Sequence, residues 1–289
     1  MKPSLLFPPI FKIIGVMLLI PGLVLWYLYL FRYYEIPFLS YGPNNPFGGN
    51  NNFTDETFVT LVVVGLLFIG FSKLKNETGA TNQLRLKALY WSMLVNGILL
   101  ETSFIYSLLG ELLKIPEKYT LPEYYGPYNL FIFLFIFVFQ FYYLLYKIKK
   151  GNVRSTDYLP YKPYNSMGKT ISILFILLIF LSVIGLLKIN LGGDTLMFIT
   201  VISFPFILIW IGSKEKKEDE LITNIRLKAV QITVLINYGL FLLATWIVYG
   251  SDYLDVLLIC LYSIPVIFIF VFRFLLFKKS KTANHFAAL

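Results

Sequence analysis

The sequence holds a single cysteine and a single histidine in 289 residues, and charged side chains make up only 14% of it. Cys260 alone can form neither an intrachain disulfide nor a cysteine-based metal site. His285 lies near the C-terminus, outside every long apolar run. Histidine-ligated haem within those runs, a Ser–His pair there and a multi-histidine metal site are therefore excluded. The P-loop, the glycine-rich dinucleotide fingerprint and the HExxH helix are missing too. "GGNNNF" (48–53) supplies glycines but no following helix with Lys and Ser/Thr, so it makes no phosphate cradle. No cofactor, metal site or catalytic centre is expected.

Acid is also scarce. Sixteen Asp and Glu face 25 Lys and Arg, leaving a formal charge of +9. Such a balance can signal nucleic-acid binding. Here, however, the basic residues lie in short loops beside apolar runs, where they set topology and meet anionic lipid. No nucleic acid is expected as a partner.

What the chain has in abundance is apolar length. Hydrophobic residues reach 57%, with 28 Phe and 21 Tyr. Runs of about 20 apolar residues match a hydrocarbon layer of about 30 Å. They are continuous and not alternating, which argues against a β-barrel. The fold class is therefore an all-α, polytopic transmembrane bundle in contact with the lipid bilayer. Eight spans are expected, at about 10–32, 57–72, 84–109, 127–147, 168–188, 195–213, 225–250 and 253–277. Lys2 and Lys12 precede a first run without a convincing cleavage site, so it reads as an uncleaved span.

Charge then orients the spans. If the N-terminus, the loops near 73–87, 147–169 and 213–228 and the C-terminal tail share one side, that side holds 21 of the 25 basic residues. The other keeps Arg32, Lys114, Lys118 and Lys188. The positive-inside rule puts both termini in the cytoplasm, with the protein in the inner membrane. The outer loop "SYGPNNPFGGNNNFTDETF" (40–58) should be irregular, and "GELLKIPEKYTLPEYYGPYN" (110–129) should lie on the membrane surface.

An internal repeat organises the rest. "QLRLKALYWSMLVN" (83–96) matches "NIRLKAVQITVLIN" (224–237) at an offset of 141, which also pairs Ser72 with Ser213 and Glu77 with Glu218. "FIFVFQF" (135–141) resembles "FIFVFRF" (268–274) at an offset of 133, aligning Gln140 with Arg273. Lys12 and Lys169 precede the first and fifth spans alike. Two tandem four-helix units follow, residues 1–150 and 151–289. An even number of spans makes them parallel in the membrane.

Steps of three, four and four residues return to one helix face. That face reads Arg85, Ala88, Ser92, Asn96 in one copy and Arg226, Ala229, Thr233, Asn237 in the other. Small residues let helices approach, and Ser, Thr and Asn can bond across the contact. Each Arg, near the cytoplasmic end, is expected to reach the headgroups. The stripe serves either helix packing or a polar solute path lined by both Asn residues. Glu101, well inside the third span, is an isolated acidic candidate. Glu218, Asp219 and Glu220, in the charged run "SKEKKEDELITNIRLKA" (213–229), form a candidate docking site for a cytoplasmic partner. Helix breakers at Pro21–Gly22, Pro205 and Pro265 are unmatched between halves, unlike many transporters.

That charged run, followed by an apolar stretch with Asn237 and Tyr238, resembles small integral membrane proteins of Bacteroidetes-type bacteria. In these, a Ser-Lys-Glu-Lys-like acidic run and Ile-Arg-Leu precede a span. The resemblance covers about 60 residues of the second unit and implies a bacterial membrane protein. Helix-turn-helix regulators reported beside such proteins hint at a cytoplasmic partner. The leading expectation is a non-enzymatic scaffold or signalling component. A transporter or channel comes next, and an unfamiliar membrane enzyme third. A C-terminal alkaline phosphatase fusion should be inactive and a fluorescent-protein fusion bright; an active phosphatase would put the C-terminus outside.

Overall fold

The computed structural model describes residues 6–40, 52–114, 125–149, 158–183, 193–248 and 251–287. Most of the loop 40–58, the centre of 110–129 and the linker residues 150–157 fall outside them, as do the expectations for those stretches. Among the described residues eight long helices follow in order: α1 (Ile10–Arg32), α2 (Thr54–Phe71), α3 (Gly79–Leu112), α4 (Tyr125–Lys149), α5 (Ser166–Val183), α6 (Gly193–Gly212), α7 (Glu220–Thr245) and α8 (Ser251–Ala287). No strand occurs among the described residues. Seven helices are long and apolar enough to cross a membrane, and in α6 the apolar stretch is Val201–Gly212. This is a multi-pass, all-helical membrane architecture.

Contacts divide the chain into two compact units. One gathers Met1–Ser92, Pro127–Val153 and Val230–Ile264; the other gathers Met93–Gly126, Arg154–Ala229 and Pro265–Leu289. In the first unit α2 is buried along most of its length. By contrast, α1 turns Ile13, Met17, Ile20, Val24, Tyr27 and Phe31 outward. An apolar face without a protein partner is what a bilayer solvates.

Glycine sets how closely α1 meets α2. A Cβ on Gly15 would stand 2.7 Å from the Gly65 carbonyl oxygen and 3.0 Å from the Ile69 nitrogen. In the second unit a Cβ on Gly168 of α5 would stand 2.8 Å from the Phe206 oxygen and 2.7 Å from the Trp210 nitrogen. Phe206 and Trp210 follow Gly65 and Ile69 by 141 residues. The same crossing therefore occurs twice, and it aligns Gly15 with Gly168, not Lys12 with Lys169.

The end of the first unit at which α2 begins is tied by short polar bonds. The Ile36 nitrogen donates to Thr54 Oγ1 at 2.8 Å, and Asn52 Nδ2 donates to the Ile36 oxygen at 2.9 Å. Trp246 Nε1 donates to Thr60 Oγ1 at 3.0 Å. These anchor the start of α2, whose first turn carries Asp55 and Glu56 as the macrodipole favours.

Gly15→Val and Gly168→Val should each destabilise the protein by about 1–3 kcal/mol, the usual cost of overpacking. Unfolding of detergent-solubilised protein measures this, and unchanged stability would mean that the helices do not meet this closely.

Candidate functional site

A helix end leaves its last carbonyls without intrahelical donors. In this protein an arginine from the next helix fills that role at the ends of α2 and α6. Arg85 of α3 donates through Nη2 to the Ser72 oxygen at 3.0 Å. The same guanidinium holds Glu77 bidentately, Nη1 to Oε1 at 3.1 Å and Nη2 to Oε2 at 3.0 Å. Glu77 also accepts from the Leu74 nitrogen at 2.8 Å, which closes the turn between the helices. The Phe141 ring of α4 lies 4.7 Å from the guanidinium carbon. The cation thus has a counter-charge, a carbonyl and an aromatic face, three favourable environments for a desolvated guanidinium.

The second centre repeats this set. Arg226 Nη1 donates to the Ile211 oxygen at 2.8 Å, and Nη2 donates to Glu218 Oε2 at 2.9 Å. Glu218 accepts from the Glu215 nitrogen at 2.7 Å and from Thr223 Oγ1 at 3.2 Å. Phe272 and Tyr158 lie 5.1 and 4.9 Å from the guanidinium. Burial holds the Tyr158 hydroxyl above the usual tyrosine range, and the nearby Arg226 charge works the other way. Arg273 adds an ion pair specific to this centre, Nη2 to Glu215 Oε1 at 2.8 Å. A cavity of about 10 Å³ lies among Trp210, Glu215, Arg226, Phe272 and Arg273. That is room for about one water.

Backbone bridges clasp both turns from outside. The Phe7 nitrogen donates to the Phe71 oxygen and the Lys73 nitrogen to the Phe7 oxygen, both at 2.9 Å. The Leu159 nitrogen donates to the Gly212 oxygen at 3.0 Å and the Lys214 nitrogen to the Leu159 oxygen at 2.8 Å. Each centre is therefore built from a preceding segment, a helix end, a turn carboxylate and an arginine.

All members of the sequence-derived stripe are buried. The expected reach of the arginines to headgroups does not hold: Arg85 is 0% and Arg226 1% exposed. Pairing with Glu77 and Glu218 removes the reason to snorkel. Ser92 Oγ bonds the Ala88 oxygen at 2.7 Å and Gln140 Oε1 at 3.0 Å. Asn237 Nδ2 donates to the Cys260 oxygen of α8 at 3.1 Å, and Ser263 Oγ donates to Asn237 Oδ1 at 2.6 Å. Asn96 Oδ1, Thr233 Oγ1 and Glu101 Oε2 are buried and find no hydrogen-bond partner among the described residues. Of the docking candidates, Glu218 is spent on Arg226, Asp219 caps α7 through the Ile222 nitrogen at 2.7 Å, and Glu220 is exposed.

Burial also corrects the alignment of α4 with α8. An offset of 133 would match Phe139, 74% exposed, with Phe272, 3% exposed. An offset two residues smaller matches buried Phe137 and Phe141 with buried Phe268 and Phe272, and exposed Phe139 with exposed Phe270. Two residues rotate a helix by about 200°, so Gln140 and Arg273 are not equivalent. Sequence reasoning missed Glu77, Glu215 and the Phe141 and Phe272 rings as arginine partners. For Glu77, and for Glu218 as the partner of Arg226, the signal available was the spacing of eight residues from Glu to Arg in both copies; Glu215 and the rings had none.

No family model matches the chain, and no curated protein or solved structure gives a significant match.

Glu218→Leu should cost about 3–5 kcal/mol, because it strands a buried guanidinium. Combining it with Arg226→Met should cost less than the single change. Equal losses in denaturant unfolding would show that the pair is not electrostatically coupled.

Proposed function

We propose that this is a non-enzymatic multi-pass protein of a bacterial inner membrane, acting as a scaffold or signalling component for a cytoplasmic or membrane protein partner. In this reading it consists of two tandem, parallel four-helix repeats with both termini cytoplasmic. The observation that carries it is the pairing of four residues of the polar stripe with neighbouring backbone and side chains. Arg85, Ser92, Arg226 and Asn237 spend their polar groups on helix ends and neighbouring helices, as packing requires. The repeated centres support the tandem arrangement, and the resemblance of 213–229 to Bacteroidetes-type membrane proteins supports the bacterial setting. The outward pair Asp219 and Glu220 is left for the partner, with Glu218 engaged internally.

A transporter or channel is the second reading. It is favoured by the partnerless buried oxygens of Asn96, Thr233 and Glu101, since an intramembrane polar group without a partner marks a functional candidate.

Replacing Asn96 and Asn237 together by leucine separates the two. A scaffold should lose folded yield, measured by fluorescence-detected size exclusion. Normal yield with loss of solute flux would reject the packing reading. In pull-downs from native membranes, charge reversal at Asp219 and Glu220 should release the bound protein; unchanged capture would remove these residues from the docking site.

A further inference from the structure

The turn after α6 reads in sequence as a mixed segment with more acid than base: Lys214, Glu215, Lys216, Lys217, Glu218, Asp219, Glu220. Folding reverses the balance at its surface. Glu215 is drawn to Arg273 and Glu218 to Arg226, with carboxylate side chains only 17% and 10% exposed. Asp219 and Glu220 face outward, Asp219 with its carboxylate on the α7 cap. Lys214, Lys216 and Lys217 are exposed, and so is Lys162, three residues beyond the Leu159 bridge to this turn. The turn starts where the apolar run of α6 ends, at Gly212. With α6 taken as a span, the ammonium groups are carried at the edge of the hydrocarbon layer.

The first unit uses the same device with less acid. Glu77 is turned onto Arg85, while Lys73 and Lys75 are exposed directly after α2 ends at Phe71. In both turns the fold pairs carboxylates with buried or half-buried arginines, so that exposed lysines outnumber exposed carboxylates. A lysine near an anionic leaflet contributes about 1 kcal/mol, and its apolar stem lies along the hydrocarbon while the ammonium meets phosphate.

We infer that the two turns are headgroup sites for anionic phospholipid, formed by Lys162, Lys214, Lys216 and Lys217 in one unit and by Lys73 and Lys75 in the other. This deepens the reading of a bilayer-spanning protein by naming the lipid class that it selects. The ligand chemistry is a phosphodiester held by primary ammonium groups, presented by the membrane itself.

The test uses the full chain in nanodiscs of equal phosphatidylglycerol and phosphatidylcholine, followed by native mass spectrometry of retained lipid. The wild type should retain phosphatidylglycerol preferentially. Changing all six lysines to glutamine should reduce that preference at least about five-fold, the equivalent of one lysine at the surface. Asp219→Asn with Glu220→Gln should strengthen it. The inference is overturned if the wild type shows no preference or if the six-lysine variant keeps it. It is also overturned if millimolar inorganic phosphate abolishes the preference, or if the lysines prove to retain an acidic soluble protein and not lipid. Nanodiscs expose both faces, so none of these results depends on the orientation of the chain or on a scaffold role.

Discussion

A guanidinium withdrawn from water needs a counter-charge and acceptors within reach, and much of this architecture follows from meeting that need twice. Arg85 and Arg226 are almost wholly removed from bulk solvent. Each therefore takes up what a neighbouring helix end has in excess: an unsatisfied carbonyl and the negative pole of the macrodipole. A single carboxylate then fixes both the cation and the backbone of the turn. Removing either partner would expose the full desolvation cost of the other.

The arrangement links events at different depths. The arginine closes the turn at one end of the helix pair. Farther along the same face, Ala88 and Ala229 are fully buried, and Ser92 and Asn237 bond to neighbouring helices. Asn237 reaches α8 at the Cys260 carbonyl, five residues before Pro265 in the same helix. Glycine crossings between α1 and α2 and between α5 and α6 give each unit a second close contact. Hydrophobic attraction between helices is weak in lipid, so such contacts and bonds must supply the specificity.

The helices and the buried stripe were legible in the sequence because hydropathy and the 3.6-residue period act locally. The repeat identified Arg85 and Arg226 as corresponding positions for the same reason. Their destination was not legible. Eight residues separate each Glu from its Arg across a turn, and neither a helical wheel nor a charge count shows that the chain folds back. The Phe141 and Phe272 rings lie on other helices altogether, where two residues of alignment error exchange a buried face for an exposed one. Glu218, Asp219 and Glu220 stand side by side as docking candidates in the sequence because one-dimensional charge does not show that Glu218 turns inward.

The clasp formed by Phe7 also has an order in time. Its bonding partners at Phe71 and Lys73 leave the ribosome some 65 residues later, and the Phe141 ring later still. At about 5–20 residues per second, the Phe141 ring that covers Arg85 is synthesised several seconds after Arg85 itself. Every other part of the first centre, from Phe7 to Arg85, is therefore already made when its aromatic cover emerges.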